Sequence, residues 1–316
     1  MTWNLYSDGM SYSSLCKFMV CRERFRLYKV EGLQEERGFQ APLEYGNFLH
    51  DALEIYAQTR NLKKALVAID DQHCKLSDKY PLSQETIRDW YMLARGQFPL
   101  YVDHWKKSDR KREYIFWEED FQYAYKLPSG RVIPLFGRFD AGFRVGKSTY
   151  LQENKTKGNI DHEGLMHSAH KDLQVMYYTI CMRRLYPNVR GTLYNIIKRP
   201  LSDRFPLRQK KTESRKEFHQ RVLTGIDENR EQHFSRYTIP TTNHDVEIFK
   251  RQTFIPLLET VADWWDSIKD NPHDPWGSSH HWVRPYGVYD PMTLGRRGDL
   301  FGYLTTGSRQ GIVTCE

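Results

Sequence analysis

From Ser13, the segment SSLCKFMVCRERFRLYKV places Leu15, Phe18, Met19, Phe25 and Leu27 where an amphipathic helix would bury them, and the leading Ser serves as a cap. A second helix is predicted over APLEYGNFLHDALEIYAQTR, whose Leu49, Leu53 and Tyr56 fall three and four residues apart. Helical spacing dominates to about Lys107. The period then drops to two. In EYIFWEEDFQYAYKL, the alternation sets Ile115, Trp117, Glu119, Phe121, Tyr123 and Tyr125 on one face of a strand.

A turn at PSG, Pro128 to Gly130, leads into two more strands, RVIPLFGRFDAGFRV and STYLQENKT, joined by GK. Beyond Gly158, HEGLMHSAHKDLQVMYYTICMRRLYP carries Leu165, Ala169, Leu173, Met176, Tyr177 and Ile180 at helical spacing and ends before Pro187. A short strand, GTLYNIIKR, and a helix, SRKEFHQRVLTGIDENREQ, follow. The segment NPHDPWGSSHHWVRPYGVYDP is rich in turn residues and is expected to be irregular. The order is helix, three strands, helix, strand, with no internal repeat.

The strands carry charges that need an explanation. Alternation points Glu153 and Lys155 to one face, and the GK turn folds the strand bearing Asp140 back beside them. Charged groups in a half-buried sheet cost several kcal/mol or more unless they are partnered. Two neighbouring carboxylates repel unless a cation lies between them, and such oxygen ligands suit Mg2+ or Mn2+. A metal held there polarises a phosphoryl oxygen and acidifies a bound water, while the lysine orients that water or stabilises the transition state.

Composition narrows the setting. The 316 residues suit two average domains or one α/β domain with insertions, and 39% apolar residues supply a core. The net charge of +7 is compatible with a polyanionic partner. No apolar run is long enough to span a bilayer, so no membrane association is expected and the protein is read as intracellular. Cys16, Cys21, Cys74, Cys181 and Cys315 are scattered and form no Cys-x-x-Cys pair, so reduced thiols are expected. Lys198, Arg199, Arg204, Arg208, Lys210, Lys211, Arg215 and Lys216 make a basic stretch that reads equally as a solvated loop or a phosphate-contacting arm.

Several pieces together resemble the PD-(D/E)xK nucleases, and within them the RecB-type group that includes CRISPR-associated exonucleases and AddB-like helicase-nuclease subunits. They are GNFLH ending at His50, GRFD ending at Asp140, ENK from Glu153 to Lys155, and QVMYY from Gln174 to Tyr178. The opening SYSSLCKFMVCRERFRLY is similar to that group's first helix, and the resemblance runs from Ser11 to Arg199. It implies an α/β fold: a restriction-endonuclease-like core with a central mixed sheet and added helical regions. The expected divisions are a helical region over 1–110, a catalytic core over 111–200 and a helical and irregular region over 201–316.

The resemblance also implies roles. His50, Asp140, Glu153 and the main-chain carbonyl of Asn154 would hold the metal, and Lys155 would assist the attacking water. Gln174, Tyr178, Lys157, Arg208, Lys210 and Lys211 would position nucleic acid. Many relatives hold an iron–sulfur cluster, with one early and three late cysteines. Cys21 matches the early position, but HHWVRPYGVYDPM has Val288 and other residues where the late cysteines would fall. No cluster is expected, and Trp282, Tyr286 and Tyr289 are expected to pack that segment. His273, His280 and His281 are read as loop histidines.

The implied activity is metal-dependent DNA exonuclease action on single strands or duplex ends, in recombination, repair or phage DNA processing. A bacterial or phage-infected cytoplasm is the expected setting. A helicase or recombination partner is expected to supply any unwinding, because the chain has no Gly-x-x-x-x-Gly-Lys-Ser/Thr loop. The alternatives are a catalytically inactive DNA-binding subunit of nuclease fold and a restriction-type endonuclease.

Overall fold

Gly146 has a φ of +60°, which a glycine adopts without steric cost, and with Lys147 it closes the two-residue hairpin that pairs Val145 with Ser148. In this computed structural model, residues 3–35, 38–161, 164, 172–200, 209–271 and 312–314 are described. Contacts divide the chain into two units. One comprises Met1–Arg37, Asp120–Gly137 and Asn243–Glu316; the other comprises Gly38–Glu119 and Arg138–Thr242.

The first unit holds the short helices α1 (Leu5–Asp8), α2 (Tyr12–Val20) and α3 (Arg22–Lys29) and the strand β1 (Leu33–Glu35). The single helix expected from Ser13 is therefore two helices. Cys21 is extended (φ −163°, ψ 115°) and breaks the backbone ladder, and the cap is Ser11, whose hydroxyl accepts from Ser14 N at 3.2 Å. Trp3, Phe18, Phe25, Trp264 and Trp265 meet largely edge to face, with ring centroids 5.0–5.5 Å apart across Trp3–Phe25, Trp3–Trp265, Phe18–Phe25 and Phe18–Trp264.

The second unit carries α4 (Ala41–Thr59), α5 (Leu62–Lys79) and α6 (Gln84–Asp109). The strands β2 (Glu113–Lys126) and β3 (Val132–Val145) belong in part to each unit, and β4 (Ser148–Lys157) follows. Next come α7 (Leu173–Leu185), β5 (Val189–Lys198), α8 (Arg215–Glu228), α9 (Arg230–His233) and β6 (Phe234–Pro240). The first unit resumes with α10 (Asn243–Phe249), α11 (Ile255–Ile268) and β7 (Ile312–Thr314), which pairs with β1. The five-stranded sheet has the order β2-β3-β4-β5-β6. β4 runs antiparallel to β3 and parallel to β5, and β5 runs antiparallel to β6. A mixed sheet flanked by helices is the restriction-endonuclease-like architecture expected above.

The structure changes three further local readings. Strand β6 was not anticipated, because FSRYTIP follows a helical segment without a clear turn signal. Helix α7 begins at Leu173, capped by Asp172, while Leu165 and Ala169 lie outside the described residues. The alternation predicted for β2 is interrupted at Glu118, which has φ +43°. The segment carrying His273, His280, His281, Trp282, Tyr286, Val288 and Tyr289 lies outside the described residues, as do Arg204, Arg208 and Cys315. Among the described residues, no helix is long and apolar enough to cross a membrane.

Helix α4 positions the site through its two flanks. Tyr45, Phe48, Leu49, Ala52 and Leu53 are buried with α5 and α6 around Ile69, Leu93 and Phe98. Gly46, Asn47, His50, Asp51 and Glu54 lie on the flank that lines a cleft. The core stripe holds the helix in place, and the remaining flank is left free for chemistry.

Candidate active site

The cleft has a volume of about 660 Å³ and lies wholly within the second unit. Glu118, Arg138, Asp140, Glu153, Asn154, Lys155, Thr156 and Gln174 line it together with α4. Strand β3 brings Asp140, β4 brings Glu153 and Lys155, and Asp140 Oδ2 accepts the main-chain N–H of Asn154 at 2.6 Å. Lys155 Nζ stands 2.6 Å from Glu153 Oε1, which also accepts from Gln174 Nε2 at 2.5 Å. The other carboxylate oxygen, Glu153 Oε2, is buried with no hydrogen-bond partner among the described residues.

His50 Nδ1 lies 3.8 Å from Glu118 Oε1. One ligand atom each from His50, Glu118 and Asp140 falls within 4.8 Å of the others, a spread compatible with a shared cation. Sequence reading missed Glu118. The period-two alternation placed Glu119 on the apolar face, whereas the left-handed backbone at residue 118 turns the preceding carboxylate into the cleft. Glu119 instead accepts from the Tyr186 hydroxyl at 3.1 Å. The run of three acids, EED at 118–120, was the one available signal.

Electrostatics match this geometry. Burial, reinforced by repulsion from Asp140, pushes the Glu153 carboxyl up to about 8, against the pull of Lys155. Burial raises Asp140 as well. At His50, burial lowers the imidazole pKa, but the Glu118, Asp140 and Glu153 carboxylates outweigh it and hold the ring above its ordinary value. At Lys155, burial is likewise outweighed by Glu153 and Asp140. Buried carboxyls held above their ordinary pKa, one of them with an orphaned buried oxygen, form a donor set that a divalent cation fits.

The residues expected to position nucleic acid lie at different places. Asp172 Oδ1 caps α7 by accepting from Gln174 N at 2.7 Å and Val175 N at 3.2 Å, which sets Gln174 in the first turn. Tyr178, one turn on, packs edge-on to Phe139 with centroids 5.8 Å apart. Lys157 Nζ stands 5.6 Å from the Tyr194 ring centroid, and burial lowers its pKa. Lys210 and Lys211 are exposed at the turn before α8 and do not line the cleft. The cleft does include Asn47, Asp51, Glu54 and Arg138, none of which sequence reading had singled out.

The sequence pattern of the PD-(D/E)XK nuclease superfamily matches residues 9–245, and the chain belongs to that family. Its members are divalent-metal-dependent nucleases, and a nuclease hydrolase acting on nucleic acid is the class that this fold and site define. No curated protein matches the chain. A solved structure described as "Crystal structure of SSO0001" is similar at 13% identity over 61% of this chain and 70% of that one, with a TM-score of 0.28.

Proposed function

We propose that the protein is a divalent-metal-dependent DNA exonuclease of the RecB-type branch. The convergence of Asp140, Glu153 and Lys155 in one cleft, with Glu153 Oε2 buried and unpartnered, carries this reading. His50 on the helix before the strands and the Gln174–Tyr178 pair on the helix after them favour the RecB-type branch over a restriction-type enzyme. On this reading, His50, Asp140, Glu153 and the main-chain carbonyl of Asn154 would hold the cation, Glu118 would join them, and residues 111–200 form the catalytic core. The imidazole makes Mn2+ at least as suitable as Mg2+.

A divalent cation bound there would supply polarisation of a phosphoryl oxygen and an acidified water. Lys155, kept protonated by its pairing with Glu153, would orient the attacking water and offset charge that builds on the phosphate. Asp140 is held in place by the Asn154 N–H, and Glu153 by Lys155 and Gln174. Gln174 and Tyr178 steady the strand, and Lys157, Arg208, Lys210 and Lys211 contact backbone phosphates without reading sequence. The products are a 5′-phosphate and a 3′-hydroxyl. The setting is recombination, repair or phage DNA processing inside a cell, with unwinding left to a helicase partner.

The test is cleavage of end-labelled linear and covalently closed circular DNA, single- and double-stranded, with Mg2+, Mn2+ or EDTA. Metal-dependent loss of linear DNA alone supports the exonuclease. Cutting of closed duplex at fixed positions would replace it with the endonuclease, and binding without cleavage would replace it with the inactive subunit.

A further inference from the structure

Asn154 stands between Glu153 and Lys155, so its side chain points to the opposite face of β4, where it is 4% exposed. There it begins a polar row that crosses three strands in register, Asn154 on β4, Asn195 on β5 and Arg236 on β6. Asn195 Nδ2 donates to Asn154 Oδ1 at 2.8 Å, and Arg236 Nε donates to Asn195 Oδ1 at 2.9 Å. Gln152 Nε2 also donates to Asn154 Oδ1, at 2.9 Å, and Gln152 Oε1 accepts from the Tyr114 hydroxyl at 3.1 Å. Helix α6 closes the far end. Asp109 pairs with Arg236 at 2.5 Å, and the Tyr101 hydroxyl accepts from Arg236 at 2.7 Å while donating to Asn195 Oδ1 at 3.0 Å.

The row has a direction. An arginine only donates, so Asn195 must turn its oxygen toward Arg236 and its amide N–H toward Asn154, which must then accept. One permanent cation thereby sets the orientation of two amides in sequence. A buried ion pair and buried amides are weak sources of stability compared with an apolar core, whereas satisfied networks specify one arrangement. What this arrangement holds is the Asn154 peptide, whose N–H donates to Asp140 on the cleft side.

The geometry points to Asn195 and Arg236 as positioning residues for the active site. Through the Asn154 side chain they fix the peptide that orients Asp140, and with it the spacing between Asp140 and the Glu153–Lys155 pair. The kinetic part of this inference rests on the nuclease reading, but the cation-binding part does not.

The experiment compares Asn195→Asp, Asn154→Ala and the double variant by Mn2+ calorimetry, thermal unfolding, and kcat and KM on DNA. Asn195→Asp keeps a partner for Arg236 but loses the donor to Asn154. The expected result is an unfolding temperature close to wild type, Mn2+ affinity and kcat each reduced about tenfold, and an unchanged KM. The double variant is expected to be no worse than Asn154→Ala, because both act through one peptide. Wild-type affinity and kcat in Asn195→Asp would overturn the inference, as would losses that multiply in the double variant. If Asn195→Asp does not fold, Arg236→Lys, which keeps the charge beside Asp109 but removes the Nε donor to Asn195, takes its place. A smaller drop in Mn2+ affinity at unchanged KM is then expected, and no drop would overturn the inference. A wild type that binds Mn2+ but does not cut DNA would refute the nuclease reading and leave the calorimetric comparison intact.

Discussion

Gly46 on α4 faces Thr156 on β4 so closely that a Cβ on residue 46 would lie 3.2 Å from Thr156 Oγ1. The missing side chain lets the helix rest on β4, and His50 enters the cleft one turn later. Gly46→Val should push the helix off the strand and cost about 1–3 kcal/mol as overpacking. Urea unfolding measures the loss, and Mn2+ calorimetry should show weakened binding as His50 moves. Unchanged values for both would refute this account of the glycine.

Lys155 and Asp140 should separate by phenotype. Lys155→Ala should retain the fold and bind Mn2+ while losing about 10²–10⁴-fold in kcat. Asp140→Ala should lose cation binding as well as turnover. Calorimetric titration of both variants beside single-turnover cleavage checks the distinction, and equal cation affinity in the two would contradict the roles proposed for them.

Glu118 should behave as a cation ligand rather than a strand residue. Glu118→Gln keeps the size of the side chain but removes the charge that faces His50, so Mn2+ affinity should fall about tenfold while the unfolding temperature of the metal-free protein holds. An affinity equal to wild type would exclude Glu118 from the metal-binding set.

The unpartnered Glu153 Oε2 predicts stabilisation by metal. At about 100 times its dissociation constant, Mn2+ should add about 2.7 kcal/mol to the stability of the wild type. Glu153→Gln should abolish most of the gain, as read from unfolding temperatures with Mn2+ and with EDTA.

His233 should make stability depend on pH away from the cleft. Its Nδ1 is buried without a partner among the described residues, and burial, aided by the charge of Lys198, lowers the imidazole to about 4. The unfolded chain, with a histidine pKa of about 6.5, takes up the proton first, so stability should fall as pH drops from about 6.5 toward 4. His233→Asn should flatten that part of the pH–stability curve, as measured by urea midpoints across the window.

Local sequence determined the strands that carry Asp140, Glu153 and Lys155. Period-two alternation puts Glu153 and Lys155 on one face, and a Gly-Lys hairpin needs only neighbouring residues to return Asp140 beside them. His50 and Gln174 were legible only through the resemblance, because helix periodicity places a residue on a flank without assigning it a role. Only the tertiary structure decided the rest. Glu118 enters the cleft through a left-handed backbone that no side-chain period encodes. The row from Asn154 to Arg236 joins residues 41 positions apart at each step, and their partnership exists only once β5 is seated beside β4 and β6 beside β5. A local pattern can orient a side chain relative to its own strand. Which buried donor meets which acceptor is set by strand order and register, and those follow from the packing of the whole unit.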